Sequence, residues 1–309
     1  MNDTALWSEA LYRETVGLVI IFLLITGVAL FFLRQKNPKF TTAWISTKSW
    51  IFAAPVILFL IGLPAPYPLV TIILISIFSA KTFFRLVGIY HRTWFVWLNY
   101  LFIMGLGYMI YSQKTEYYNL TPMAFLFAGS LIPILRNSYN HMIQYLALSF
   151  IGFIFMGWSI LHLGLILSFD KGIYIVLYLY ILAEFSFNSA IFFSRFFGKT
   201  KLLERISPKF TLEGFLFSIV ITILLAWGMR HMLPVRTEPY WIASAIIITF
   251  FGRCGDLILS VFRRDLGIKD SGVFIIGRED ILARVDKFIF AAPIFYYTFQ
   301  ILEKIYPPS

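Results

Sequence analysis

Apolar runs about as long as a membrane is thick, separated by short polar breaks, repeat along the whole chain. A hydrocarbon core of about 30 Å takes roughly 20 mostly apolar helical residues to cross. Windows of that kind fall at residues 16–33, 50–63, 66–88, 94–112, 120–135, 142–168, 173–193, 214–233, 240–259 and 288–305. Each reads as a helix. The second and fifth windows are short, and the break at Leu63, Pro64, Ala65 and Pro66 would suit a broken hairpin, so eight or nine full spans also fit. The pattern predicts an all-α fold, a polytopic transmembrane helix bundle of about 8–10 helices with cytoplasmic loops between them. No interhelical segment exceeds about 30 residues, and there is no fixed-period repeat, so residues 1–309 read as a single membrane-embedded domain.

Composition sharpens this class. Hydrophobic residues make up 59% of the chain and charged residues 14%, which excludes a soluble globular protein. The 34 Phe are expected to fill the bundle and face acyl chains rather than form a cofactor box. A net charge of +10 would suit nucleic acid, but anionic lipid headgroups account for it, and no nucleic-acid partner is expected. With the N-terminus outside, 20 of the 26 Lys and Arg fall in cytoplasmic loops. The six on the far side are Arg13, Lys114, Lys171, Arg230, Arg236 and Lys304.

Residues 1–14 carry Asp3, Glu9 and Glu14 against Arg13, unlike the basic start of a cleaved leader, so the first helix is expected to stay in the mature protein. The single Cys254 excludes an intramolecular disulfide and reads as a small packing residue. His91, His141, His162 and His231 stand at no metal-ligand spacing and read as interface residues near helix ends.

Charge gathers in two cytoplasmic loops, residues 194–213 and the stretch from Gly255 to Lys287. Asp256 and Ser260 lie one helical turn apart, with Arg263 and Arg264 on the next turn, so a helix leaving the membrane would align carboxylate, hydroxyl and guanidinium groups. Gly267 would end that helix. Beyond it, Lys269 and Asp270 fall in a turn, and a second helix is expected from about Gly277, with Glu279, Arg284 and Asp286 near one face. Carboxylates attract a hard cation such as Mg²⁺, and Lys and Arg neutralise phosphate, the equipment of phosphoryl or nucleotidyl transfer. The same charges would also serve as snorkelling anchors at helix ends. Asp256 argues against that, because an acid at the end of an apolar helix is costly without a partner or a function. Glu184, inside the seventh window, follows the same logic and would equally suit a polar partner.

These residues resemble the signature of the phosphatidate cytidylyltransferases. Gly255, Asp256, Ser260, Arg263, Arg264, Gly267, Ile268, Lys269, Asp270, Gly272, Gly277, Leu282, Arg284 and Asp286 stand at the family spacing. A second element matches at Arg195, Phe197 to Lys199, Ser207 to Lys209, Thr211, Glu213 and Gly214. The resemblance implies transfer of a cytidylyl group from CTP to phosphatidic acid, giving CDP-diacylglycerol and pyrophosphate in phospholipid biosynthesis. It makes residues 171–309 the cytidylyltransferase-like catalytic half and residues 1–170 the N-terminal transmembrane helices. It assigns Asp256, Asp270, Asp286 and Lys269 to catalysis, with Asp256 and Asp286 as Mg²⁺ ligands. Ser207, Lys209, Thr211, Glu213, Ser260, Arg263, Arg264 and Arg284 would bind substrate. The expected setting is a bacterial cytoplasmic membrane, with membrane lipid as substrate source and a homodimer as the assembly.

Departures from the pattern fall at acidic and turn positions. Phe187 and Ala283 stand where the family has acids, Arg278, Glu279 and Asp280 replace a His-Gly-Gly turn, and Leu212 replaces a Trp. Glu279 lies four residues before Ala283, so on a helix it would reach the same side and replace the lost metal ligand. A homologue with a changed lipid or nucleotide substrate, or without activity, stays open, as does a membrane transporter, although the ionisable groups gather at one face as an enzyme at the headgroup boundary would need.

Overall fold

The computed structural model of the protein describes residues 5–37, 40–234, 238–267 and 281–306. Each apolar window is helical. In chain order the helices are α1 (Ala10–Lys36), α2 (Thr41–Ile61), α3 (Tyr67–Leu86), α4 (Thr93–Tyr111), α5 (Thr121–Leu135) and α6 (Met142–Gly152). They continue as α7 (Ile160–Ile166), α8 (Gly172–Phe197), α9 (Leu212–Gly228), α10 (Glu238–Asp265), the short α11 (Leu282–Val285) and α12 (Phe288–Ile305). Among the described residues, eight helical stretches are long and apolar enough to cross a membrane. The protein is an all-α, multi-pass integral membrane bundle. The 17-residue α9 and 18-residue α12 are shorter. In contrast, α10 has 28 residues, about 42 Å at 1.5 Å per residue, so in a core of about 30 Å the turn carrying Arg263 and Arg264 stands clear of the acyl region.

Burial divides the bundle into an inner and an outer part. On α1, Leu18 and Ile25 are 69% and 65% exposed, an apolar surface that only lipid can cover without cost. The first half of α8 and all of α7 are buried, and α10 and α12 pack on them. Between α6 and α7 the helix widens to a π turn over Phe153–Ser159. Side chains from other helices supply donors to carbonyls of this segment: Ser76 to Met156, and Tyr118 to Trp158 at 2.6 Å.

Two expectations are corrected. His162 lies fully buried in α7, ringed by Tyr118, Trp158, Tyr296 and Tyr297, because the packing of α7 against α12 closes over it, rather than at a membrane interface. Cys254 is exposed rather than packed, since its neighbours Arg253 and Gly255 take the inward side of α10.

The loop between α8 and α9 is an antiparallel hairpin, β1 (Lys201–Leu203) and β2 (Ser207–Thr211), with Lys201 opposite Thr211 and Leu203 opposite Ser207. It departs from a purely helical reading because side chains on both flanking helices hold the link extended. At its base α8 and α9 nearly touch. A Cβ on Gly214 would lie 1.9 Å from Ser194 Oγ and 2.6 Å from the Ala190 carbonyl oxygen.

Candidate active site

The site is built where α10 meets the α11–α12 junction, with α8 and the hairpin beside it. Asp256 lies on α10 and Asp286 in the turn before α12. Gly255 brings the two segments together: a Cβ there would fall 1.9 Å from the Asp286 carbonyl oxygen, so only glycine permits this approach. Asp286 is 2% exposed, and its Oδ1 accepts the Lys287 backbone N–H at 2.8 Å. Burial, and then the charge of Asp256, push its pKa well above the usual carboxylate range, against the opposing charges of Lys287 and Arg263. A cation bound beside Asp286 would favour its charged form.

Two cations are buried beside this pair. Arg253 Nη1 lies 3.6 Å from Asp256 Oδ2, and the guanidinium carbon sits 3.9 Å from the ring centroid of Phe187 and 5.2 Å from that of Phe210. Lys287 is ion-paired with Glu184 of α8 and lies 5.0 Å from the Phe187 centroid. Asn188 Nδ2 also donates to the Glu184 carboxylate, at 3.3 Å. Burying a cation costs several kcal/mol, and an aromatic face returns about 2 kcal/mol when desolvated. The rings alone cannot hold Arg253 and Lys287, so the nearby carboxylates complete the balance.

Other residues singled out from the sequence hold the surrounding frame. Glu213 accepts the backbone N–H groups of Lys199 and Thr200 at 3.0 and 3.1 Å, fastening the start of the hairpin to α9. Thr211 caps α9, accepting the Gly214 N–H at 3.2 Å and donating to Ser194 Oγ at 3.0 Å. Ser207 opens β2. Arg264 Nε donates to the Ile206 carbonyl at 3.3 Å, joining the end of α10 to the hairpin tip. Arg284 turns to α2, donating to Ser49 Oγ and covering the Trp50 ring at 3.9 Å. Ser260 is half-buried one turn beyond Asp256, and Gly267 (φ +69°) follows the end of α10. Lys269, Asp270, Glu279 and the side chain of Lys209 lie outside the described residues.

Sequence reasoning missed Arg253, Lys287 and the role of Phe187. The signal was present in Arg253: a charge inside an apolar helix is costly whatever its sign, and the argument that picked out Asp256 applies equally three residues earlier. Lys287 had no such mark, because its partner is 103 positions away. Among the described residues no three His, Cys, Asp or Glu converge. The Asp256–Asp286 pair nonetheless fits a hard divalent cation whose other ligands are phosphate oxygens and water.

Paired carboxylates and buried cations at one end of a membrane bundle make a site suited to phosphate chemistry within reach of the lipid. The family model described as Cytidylyltransferase family matches residues 43–302, and the chain belongs to that family of nucleotidyltransferases. It is 26% identical over 232 residues to "Uncharacterized protein YnbB" of Escherichia coli (strain K12), covering 72% of this chain and 76% of that protein. It is 32% identical over 127 residues to "Phosphatidate cytidylyltransferase" of Staphylococcus aureus (strain COL), 40% of this chain and 48% of the relative. The protein of the same name from Staphylococcus epidermidis (strain ATCC 12228 / FDA PCI 1200) is 33% identical over 126 residues, again 48% of its length. The match thus spans about half of these staphylococcal relatives.

Proposed function

We propose that the protein transfers the cytidylyl group of CTP to phosphatidic acid at the inner face of a bacterial cytoplasmic membrane. A phosphate oxygen of the lipid attacks the α-phosphorus of CTP, the α–β phosphoanhydride bond breaks, and pyrophosphate leaves as CDP-diacylglycerol forms. The observation that carries this reading is the apposition of Asp256 and Asp286 through Gly255, with Arg253, Lys287 and Arg263 around them. Mg²⁺, when bound, would neutralise triphosphate and leaving-group charge. Asp256 and Asp286 would hold it, with Glu279 as a third ligand in place of the acid missing at Ala283. Arg263 offers its charge to phosphate oxygens, and Arg264 fixes the hairpin against α10. The long α10 carries Arg263 and Arg264 to the headgroup level, where lipid arrives from the bilayer and nucleotide from water.

The test is CTP-dependent pyrophosphate release by the purified protein in phosphatidic-acid micelles, with and without Mg²⁺ and beside Asp286→Asn. Release that needs Mg²⁺ and is lost in the variant supports the reading; no release from folded, lipid-binding protein refutes it. Phe187 and Ala283 favour a second reading, a changed lipid or nucleotide acceptor on the same site. Release with another phospholipid or nucleoside triphosphate in the same assay would select it.

A further inference from the structure

One of the acidic positions missing from the family pattern, Phe187, turns out to be the platform on which both buried cations rest. A carboxylate there would consume their N–H groups in ion pairs. An aromatic face attracts their charge and leaves the donors unspent. Glu184, one turn earlier on α8, engages Lys287. Arg253 keeps a free donor: its Nε has no hydrogen-bond partner among the described residues, although the residue is only 7% exposed. A buried polar group without a partner is destabilising, and the strain is relieved when an acceptor such as a phosphate oxygen enters.

Among the described residues, the acids and bases around the pair are equal in number: Glu184, Asp256 and Asp286 oppose Arg253, Arg263 and Lys287. Divalent-cation affinity follows the charge count of the ligand set, so these described groups by themselves attract metal weakly while still offering positive charge to an anion.

We propose that Arg253 and Lys287 are built-in counter-cations of this site, positioned by Phe187 and Glu184, and that they take over from metal part of the neutralisation of a bound triphosphate. This rests on the reading of the site as the place of the CTP phosphates. Its consequence is triphosphate binding that survives removal of divalent metal.

The experiment is calorimetric titration of the full chain, in micelles free of phosphatidic acid so that CTP binds without turning over, with CTP in EDTA and in Mg²⁺. The wild type is expected to bind CTP in EDTA within about tenfold of its affinity in Mg²⁺. The double variant Glu184→Gln/Lys287→Met removes both partners, so no charge is stranded. It is expected to lose about tenfold or more in EDTA, the scale of one desolvated charge contact, and less in Mg²⁺. Phe187→Leu keeps an apolar filler without the π face and should shift binding the same way more weakly, while thermal melting checks that each variant is folded. Abolition of wild-type CTP binding by EDTA, or variants that match the wild type in both media, would overturn the proposal. Pyrophosphate release by the same preparations, once phosphatidic acid and Mg²⁺ are added, separates the two readings. CTP binding in EDTA without release onto phosphatidic acid sinks the lipid reading alone. Metal-dependent release with no CTP binding in EDTA sinks the counter-cation proposal alone.

Discussion

The hairpin side of the site and the α10–α12 side are both rich in polar residues, but they are bonded to different things. Around the hairpin, Glu213, Thr211 and Arg264 are committed to backbone groups: the Lys199 and Thr200 amides, the Gly214 amide and the Ile206 carbonyl. Around Asp256 and Asp286, charges face charges and rings, and Arg253 Nε is left over. Backbone bonds are already satisfied and gain nothing from a ligand. Unsatisfied, mutually strained charges do gain, so the first region is a frame and the second is where a ligand changes the energy.

The largest expected difference between the two regions is in turnover. Asp256→Asn and Asp286→Asn each remove a charge without changing shape, and should lower CTP-dependent pyrophosphate release by about 10²- to 10³-fold, the scale of losing one preorganised electrostatic group. Melting temperature should fall little, and for Asp286→Asn it should not fall at all, since burial already disfavours its charge. A large loss of melting temperature with intact turnover would reverse the roles assigned to the two regions.

A matched pair of glycines sharpens the contrast. Gly214→Ala and Gly255→Ala each place a methyl group 1.9 Å from an oxygen, Ser194 Oγ in one case and the Asp286 carbonyl in the other. Overpacking of this kind costs about 1–3 kcal/mol, so both should melt earlier by similar amounts. Only Gly255→Ala displaces Asp286, and a shift of about 1 Å at reacting groups can cost about 10²-fold in rate. Equal rate losses in the two variants would show that the hairpin base is as close to the chemistry as the acid pair.

The third expectation is smaller. Glu213→Gln leaves one acceptor for two amides, so hydrogen exchange at Lys199 and Thr200 should quicken while the exchange of α10 stays as it was. Turnover should drop about tenfold, through a looser hairpin, the low end of the scale seen when one supporting contact behind a site is lost. Unchanged exchange would mean that Glu213 is not what fastens the hairpin.

How much of this was legible in the sequence follows from the range of each interaction. Membrane helices announce themselves locally, because every residue of a window must be apolar, and all ten windows are helical. The hairpin was not legible: β1 has three residues, β2 contains Pro208, and what holds them extended lies in the flanking helices. Asp256 and Asp286 were marked by the family spacing, yet their meeting depends on an absent side chain at Gly255, which a motif records only as a letter. The exchange of an acid for Phe187 read as a loss. That Phe187 receives Arg253 becomes visible only once α8 and α10 are packed.

Cys254 gives the smallest expected effect and a check on the rotation of α10. Successive helical residues point about 100° apart, so if Arg253 and Gly255 take the inward side, Cys254 must face out, as its exposure requires. Cys254→Ser should leave turnover within about twofold and stability within about 0.5 kcal/mol, the range of surface substitutions away from special features. As the chain has a single cysteine, a thiol-directed probe attached there should label one position and spare pyrophosphate release. Strong inhibition by the probe would mean that α10 is turned the other way, bringing Cys254 into the site and taking Arg253 off the Phe187 ring.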